Sequence, residues 1–145
     1  MNQKLPSEKV IFPEPASVGE RDWGEEILLA VLPSTLTLKK LVLKAGKKGG
    51  LQYHRLKNEC GILLEGQMIV RHLDDDRNLV ERTLGPGDVF HFPPGAIHQE
   101  EAVTDCVMIE ASSPHFNDRV RVEEFFGITD WSGLPTTEPD EIETR

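Results

Sequence analysis

Short apolar runs recur along this chain at regular intervals, and this feature most limits the folds that it can adopt. Ile62–Leu64 and Met68–Val70 flank a Glu65-Gly66 turn, which is the pattern of a β-hairpin. Glycine- and proline-rich turns follow at residues 85–88 and 93–95. Strands that repeat about every 8 to 12 residues with such turns between them are typical of sandwiches and closed barrels. The sequence therefore predicts an all-β domain.

One strand of this series has an irregular pattern. Leu36 and Leu38 alternate with polar residues, and so do Leu41 and Leu43, but the two pairs are out of step. An extra residue in one strand shifts the alternation in this way. The pattern is interpreted as a β-bulge at Lys39-Lys40.

The two ends of the chain differ from the middle. Residues 1–20 are polar and interrupted by prolines, and they are predicted to form an arm or an edge strand. Residues 134–145 are acidic and also broken by proline, which predicts a flexible tail. The barrel is expected over residues 21–133, with a short helix near its end at residues 120–126. A length of 145 residues suits one such domain.

Composition excludes several classes of function. The formal net charge is −9, and a protein this acidic repels nucleic acid backbones. No run approaches the roughly 18 apolar residues that cross a bilayer. The first 20 residues lack the apolar run of a signal peptide. A cytoplasmic protein that binds neither membranes nor nucleic acids is expected.

Two stretches combine glycines with residues that can bind metals. They are Gly46-x5-Gln52-x-His54-x4-Glu59-x6-Gly66 and Gly87-x5-Pro93-x-Gly95-x2-His98. In order and spacing they resemble the two motifs of the cupin superfamily, with Gln52 at the place of the usual first histidine. The resemblance implies a cupin jelly-roll, a double-stranded β-helix barrel, with one divalent metal ion held by Gln52, His54, Glu59 and His98.

The geometry of strands is consistent with that ligand set. Residues two apart in a strand face the same side, so Gln52 and His54 project together. Glu59 begins the next strand, and His98 follows the corner at residues 93–95. Two imidazoles, a carboxylate and an amide oxygen suit zinc, which we expect first, and also Mn, Fe, Co or Ni. Because no sulfur ligand is present, an open site of the catalytic type is expected.

A narrower resemblance links the chain to the type II mannose-6-phosphate isomerase domain. It rests on the Gln-x-His-x4-Glu spacing and on three further segments, with Ile128 at the place of a family arginine. These segments are Arg21-Asp-Trp-Gly24, Leu51-Gln-Tyr-His54 and Asp118-Arg-Val-Arg-Val-Glu-Glu-Phe-Phe-Gly127. The resemblance covers most of the chain and implies an aldose–ketose isomerase that acts on a sugar or sugar phosphate.

The same resemblance suggests roles for individual residues. Arg121 would hold the substrate or stabilise negative charge during the reaction. The alternative for Arg121 is a salt bridge to a neighbouring acid such as Glu123. Glu100, which shares the strand face of His98, or Glu123 could be the base that moves the proton.

Other functions and partners remain open at this point. The chain could be a non-catalytic cupin module that binds a sugar or small metabolite, or an iron-dependent cupin dioxygenase. Lys47 and Lys48 follow Gly46 in the turn before Gln52 and are the predicted binding site for an anionic, sugar-like ligand. A homodimer is expected because small barrels expose strand edges, and the apolar residues 10–12 of the arm could add a strand to a partner.

Overall fold

The computed structural model describes residues 4–145, and the regular secondary structure of this part of the chain is almost exclusively β-strand. Two 3₁₀ helices, Glu123–Phe126 and Pro139–Glu141, are the helical segments of this part of the chain, and no helix there is long and apolar enough to cross a membrane. The strands are β1 Ala16–Arg21, β2 Gly24–Leu32, β3 Leu36–Leu43, β4 Gln52–Tyr53, β5 Glu59–Glu65, β6 Met68–Leu73, β7 Leu79–Leu84, β8 Val89–Phe92, β9 His98–Ala102, β10 Cys106–Ser112, β11 His115–Phe116, β12 Val120–Arg121 and β13 Glu143–Thr144.

Two antiparallel sheets make up the barrel. The first has the strand order β1-β2-β3-β10-β5-β8, and the second has the order β12-β4-β9-β6-β7. Strands that are neighbours in a sheet are mostly distant in sequence, since β10 lies between β3 and β5, and β9 lies between β4 and β6. This crossing of the chain between two sheets is the jelly-roll arrangement, so the predicted all-β fold is confirmed.

The inner faces of the two sheets meet in one apolar core. It consists of Leu41, Leu43, Leu63, Met68, Val70, Leu84, Phe90, Phe92, Ala102, Cys106 and Met108. Each large side chain that is fully buried contributes about 1.5–3 kcal/mol to folding. The hairpin predicted around Glu65-Gly66 is wrong: the turn is present, but β5 pairs with β10 and β8 in the first sheet and β6 pairs with β9 and β7 in the second. Both strands supply core residues.

The bulge predicted at Lys39-Lys40 is wrong, because β3 alternates without a break. Its inward residues are Thr37, Lys39, Leu41 and Leu43. The register shift lies in the neighbouring strand β2, between Leu28 and Ala30.

The cause of the misleading pattern is a charged side chain at an inward position. Lys39 lies on the buried face of β3, with its side chain 8% exposed, and its Nζ is 2.8 Å from Oε1 of Glu26. A buried ammonium group requires such a partner. Because that partner is on another strand, the sequence of β3 alone could not reveal that Lys39 faces inward.

The N-terminal segment is partly a strand and partly an exposed arm. β1 is an edge strand of the first sheet, and residues 4–15 before it form neither strand nor helix. Val10, Ile11 and Phe12 are 79–85% exposed. Residues 1–3 of the predicted arm lie outside the described residues. The homodimer stays a prediction, and these exposed apolar side chains are the segment that would form it.

The C-terminal segment lies against the barrel, whereas its sequence predicted a flexible tail. β13 pairs with β11, and Thr137 is buried. Backbone carbonyls of the segment accept hydrogen bonds from arginines of the barrel, among them the bond from Arg119 Nε to Pro135 O at 2.8 Å. The segment has few apolar side chains, so its docking depends on these long-range backbone contacts. The helix expected at residues 120–126 is present only as the 3₁₀ turn Glu123–Phe126.

The turn between β5 and β6 depends on a glycine, which leads to a prediction about stability. Gly66 has φ of +92°, and a Cβ there would lie 2.2 Å from the backbone oxygen of Asp105. We expect Gly66→Ala to lower the free energy of unfolding by more than about 2 kcal/mol, from strain and steric overlap together. Gly85 has open space around it, and Gly85→Ala should change stability by less than about 1 kcal/mol. Urea unfolding measures both, and equal effects would contradict this explanation.

Candidate metal centre

Three residues of the predicted ligand set meet inside the barrel. Glu59 begins β5, His98 begins β9, and His54 directly follows the short strand β4. All three are buried, each with about 4% of its surface exposed. Their ligand atoms all lie within 4.8 Å of one another. Strands from both sheets therefore bring together residues that are up to 44 positions apart in sequence, the separation of His54 and His98.

Both imidazoles direct Nε2 towards the same carboxylate oxygen. Nε2 of His54 is 3.0 Å from Oε1 of Glu59, and Nε2 of His98 is 3.5 Å from it. The two rings are 5.1 Å apart between centroids. The ring of His98 also stacks on Phe92, with centroids 4.0 Å apart, which fixes its plane.

The other nitrogen of each histidine is bound to the backbone. Nδ1 of His54 donates to the carbonyl oxygen of Asp118, and Nδ1 of His98 donates to that of Ala96 at 2.9 Å. A carbonyl can only accept, so Nδ1 carries the proton and Nε2 of the neutral ring offers a lone pair. Metal-binding histidines are oriented by such outer contacts.

This arrangement fits a divalent cation. Two Nε2 lone pairs and a carboxylate oxygen face one another, and they repel unless a positive charge lies between them. The donor set of two nitrogens and one carboxylate suits Zn and other divalent first-row metals. His54, Glu59 and His98 are the residues that would hold the ion.

Electrostatics keep the ligands in the required protonation states. Burial lowers the pKa of His98 to about 4, so the ring is neutral near pH 7. Burial by itself would raise the pKa of Glu59, but the charge of Lys57 outweighs it and holds the pKa well below its usual range. Lys57 Nζ lies 2.8 Å from Oε2 of Glu59. Neutral imidazoles and an ionised carboxylate are the forms that bind metals.

Gln52, the predicted fourth ligand, is close to this group. It lies opposite His98 in the pairing of β4 with β9, and it lines the same cavity as the three ligands. Its Oε1 would be 2.9 Å from a Cβ at Gly50, so the glycine leaves room for the amide. Coordination by Gln52 remains a prediction.

Two further buried carboxyl groups adjoin the metal ligands. Glu100 and Glu110 each place a carboxylate oxygen within 4.8 Å of that of Glu59. Burial and the charge of Glu59 raise the pKa of Glu100 to about 8. Burial, with Glu59 and Glu100, also raises the pKa of Glu110 well above its usual range. The cavity therefore contains carboxyl groups that hold protons near neutral pH, as acid–base catalysis requires.

The sequence analysis did not include Glu110 among the site residues. β10 alternates buried and partly exposed residues, with Cys106, Met108 and Glu110 on the buried face. A glutamate in step with the apolar residues of a strand was the available signal.

Arg121 is engaged by its neighbours. Its guanidinium donates to both carboxylate oxygens of Glu123, which is itself buried, and Nε lies 2.8 Å from Oε1. It also donates to the carbonyls of Ser132 and Leu134 and stacks on Trp131, 4.3 Å from the ring centroid. The salt bridge considered as the alternative for Arg121 is present. A catalytic role for Arg121 or Glu123 stays a prediction.

The two lysines predicted to bind an anionic ligand are placed differently from each other. The metal ligands line a cavity of about 550 Å³, and Lys48 lies on its wall, whereas Lys47 does not. Both lysines are exposed. Lysine charges in solvent are screened by salt and contribute little to binding.

Comparison with known proteins agrees with the motif analysis. Residues 40–115, which include the proposed ligands, match the family described as Cupin domain. This match covers more than half of the chain. The chain belongs to the cupin family. The prediction of that family is confirmed, with both glycine-containing motifs inside the matched region.

Individual relatives resemble parts of this cupin. A germin-like protein, subfamily T member 3, from Arabidopsis thaliana is 40% identical over 53 residues, which are 35% of this chain and 23% of that protein. Among solved structures, the capsular polysaccharide assembling protein CapF from Staphylococcus aureus has a TM-score of 0.59 at 23% identity, covering 75% of this chain and 33% of CapF. An RmlC-like cupin from Shewanella frigidimarina has a TM-score of 0.56 at 22% identity, covering 70% of this chain and 83% of that one.

These comparisons define the family and the fold. The chain spans about a quarter of the germin-like protein and a third of CapF. None of the relatives named here is a mannose-6-phosphate isomerase, so that narrower resemblance stays a prediction. A His/Glu/His group able to hold a metal is present, and the kind of metal remains to be determined.

Proposed function

We propose that this cupin is a metal-dependent aldose–ketose isomerase that acts on a small sugar or sugar phosphate. The observation that carries the proposal is the group of buried carboxyls, Glu100 and Glu110, beside the metal ligand Glu59 in one cavity. Isomerisation requires a group that removes and returns a proton next to a polarised carbonyl. The segments that resemble the type II mannose-6-phosphate isomerase domain, and a carbohydrate-related relative of the same fold, CapF, support this choice of substrate.

The reaction needs no oxidant. The ionised form of Glu100, a minor fraction near neutral pH because its pKa is about 8, would take the proton from C2 of the aldose while the carbonyl oxygen at C1 gains a proton from solvent, which forms an enediol. Return of a proton to C1 and loss of the proton from the C2 hydroxyl gives the ketose. When bound, a divalent cation supplies the Lewis acidity that polarises the oxygen atoms of the sugar. We propose zinc as the resident ion, with Mn, Fe, Co or Ni as alternatives.

Substitution of Glu100 tests this role. Glu100→Gln keeps the shape of the side chain but cannot move a proton, and we expect isomerisation to fall by at least about 100-fold. The measurement follows deuterium incorporation at C2 of mannose 6-phosphate, or at C1 of fructose 6-phosphate, in D₂O by NMR. Glu101→Gln is the matched control, because Glu101 is the next residue on β9, does not line the cavity and lies 3.5 Å from Arg71.

A non-catalytic, sugar-binding cupin is the second candidate, favoured by the engagement of Arg121 with Glu123 and the C-terminal segment. If the metal-loaded protein binds a sugar phosphate but exchanges no proton at C2, this second function replaces the first. Oxygen consumption by an iron-loaded sample would instead indicate the dioxygenase.

A further inference from the structure

Charged residues of both signs line the cavity. Glu100 and Glu110 line it beside the metal ligands, and within residues 4–145 neither has a cationic partner at salt-bridge distance. Arg21 and Arg119 line the same cavity. Its wall therefore combines buried carboxyl groups with guanidinium groups.

The guanidinium of Arg119 has only neutral partners. Nε donates to Pro135 O at 2.8 Å, and Nη1 donates to Asn117 Oδ1 at 3.3 Å. No carboxylate in the described part of the chain lies at salt-bridge distance from it. Carbonyl and amide oxygens orient the group but do not neutralise its charge. A partly buried guanidinium in this condition favours an anion.

Arg21 adds to this excess of positive charge. Its Nη2 is 3.3 Å from Oε2 of Glu26, and Nζ of Lys39 is 2.8 Å from Oε1 of the same carboxylate. Two cations, Arg21 and Lys39, therefore share one carboxylate, Glu26, while Glu26 and Glu141 act on Arg119 only from beyond salt-bridge distance. Burial and the charges of Arg21 and Arg121 lower the pKa of Arg119, which agrees with guanidinium groups held close together.

We propose that Arg21 and Arg119, the arginine pair, bind the anionic group of the ligand, a carboxylate or a phosphate. Guanidinium groups match the geometry of such oxyanions through paired N–H donors. The polyhydroxy part of the same ligand then extends towards His54, Glu59 and His98. This orientation, and the sugar nature of the ligand, rest on the proposed function, whereas binding of an oxyanion at the arginine pair does not.

The arginine pair is a better anion site than the lysines predicted from the sequence. The side chain of Arg21 is 25% exposed and Arg119 is partly buried, while Lys47 and Lys48 are exposed. Desolvated charges interact more strongly with an anion than charges in water. The pair consists of residues from β1 and from the segment before β12, and neither position belongs to the glycine-containing motifs.

The size of the cavity limits the ligand to a small molecule. A volume of about 550 Å³ lies within the range of ordinary small-ligand sites. Leu134 of the C-terminal segment and the two residues before it, Ser132 and Gly133, form part of its wall. The ligand class that fits is a monosaccharide phosphate or a sugar acid.

Calorimetry with matched pairs of sugars tests the arginine pair. The probes are mannose against mannose 6-phosphate, and glucose against glucuronate. In the unmodified protein we expect the anionic member of each pair to bind at least about 10-fold more tightly, the usual gain from a charged hydrogen bond. Arg119→Gln and Arg21→Gln should each remove about 10-fold of this advantage and leave the affinity for the neutral sugar unchanged.

Two controls separate the site from general charge effects. Arg82→Gln makes the same change in net charge at an exposed position on β7, outside this cavity, and should leave binding as it is. Lys47→Gln and Lys48→Gln test the site predicted from the sequence, and their effect on the affinity for anionic sugars is compared with that of the two arginine variants. Arg119 also donates a hydrogen bond to the C-terminal segment. If Arg119→Gln does not fold for this reason, the affinities of Arg21→Gln test the proposal. Equal affinity for charged and neutral sugars, or equal losses in Arg82→Gln, would overturn the proposal.

A second measurement distinguishes this proposal from the proposed enzyme activity. Inorganic phosphate and acetate are titrated against metal-free protein, and binding is followed by calorimetry, with the two anions comparing phosphate with carboxylate recognition. Anion binding that requires Arg21 and Arg119 supports the arginine pair even if no sugar is isomerised. Isomerisation of a sugar phosphate that depends on Glu100 but is unaffected in both arginine variants would refute the arginine pair and leave the enzyme function standing.

Discussion

His98→Ala is expected to lower the affinity for a divalent metal by more than about 100-fold, because loss of a direct ligand exceeds the 10- to 100-fold cost of losing an outer contact. His98 supplies one of two imidazole nitrogens directed at Glu59. The affinity is measured by competition with a chromophoric chelator, starting from metal-free protein. The same loss should appear in thermal unfolding. Metal at about 100 times its dissociation constant stabilises the unmodified protein by about 2.7 kcal/mol, and the variant should lack most of this gain.

His91→Ala is the matched control for that experiment. His91 lies on β8 with its side chain outside the barrel, where its Nε2 contacts Oδ1 of Asn58 at 2.8 Å. Removal of this imidazole should leave metal affinity unchanged. Equal affinities of His98→Ala and the unmodified protein for every divalent ion tested would show that the buried group of His54, Glu59 and His98 is not a metal site.

Asp118→Ala is expected to destabilise the metal-free protein by about 3 kcal/mol or more. Its carboxylate accepts hydrogen bonds from three consecutive backbone N–H groups, those of Arg55, Leu56 and Lys57, at 2.9, 2.7 and 2.8 Å. Hydrogen bonds to charged groups contribute about 1.5–3 kcal/mol each, and solvent recovers part of this when the partner is lost. Burial by itself would raise the pKa of Asp118, but the three N–H groups outweigh it and lower the pKa.

Urea unfolding of metal-free samples measures this effect, and two variants define its origin. Asp105 accepts one backbone hydrogen bond at an exposed position, from Ala45 N at 2.8 Å, so Asp105→Ala should cost only about 1 kcal/mol. Asp118→Asn keeps one acceptor oxygen, and we expect an intermediate loss. If Asp118→Ala and Asp105→Ala have the same effect, the three-bond contact does not stabilise the loop that leads from His54 to Glu59.

The fold and the group of residues that could hold a metal were largely accessible from the sequence. Alternation in strands and the chemistry of glycine and proline turns are local properties, so the succession of apolar runs predicted an all-β barrel. The spacing of the two motifs identified His54, Glu59 and His98, which the structure brings within 4.8 Å of one another. The spacing within a motif is informative because each motif lies on a strand and the turn next to it. In a strand, the position of a residue determines whether its side chain faces the inside or the outside of the barrel.

Inward charges were much harder to predict. Lys39 on β3 and Glu110 on β10 occupy buried positions that polar residues rarely take. Lys39 is tolerated there because Glu26 on β2 lies 2.8 Å away. Glu110 faces Glu59 and Glu100 from other strands. The ammonium group of Lys39 is stable in the interior only with a partner on another strand, so the pattern of β3 does not reveal it.

The sequence by itself determined the type of fold and which residues could bind a metal, because both follow from local periodicity and motif spacing. Only the tertiary structure decided the surroundings of that site. In the structure, residues 134–145 dock on the barrel through backbone carbonyls, which side-chain patterns do not report. Arg121 forms a salt bridge with Glu123. The structure also leaves Arg119 in the cavity wall without a carboxylate. These features depend on which distant groups meet when two sheets close, and the free energy of each charge depends on all of its neighbours at once.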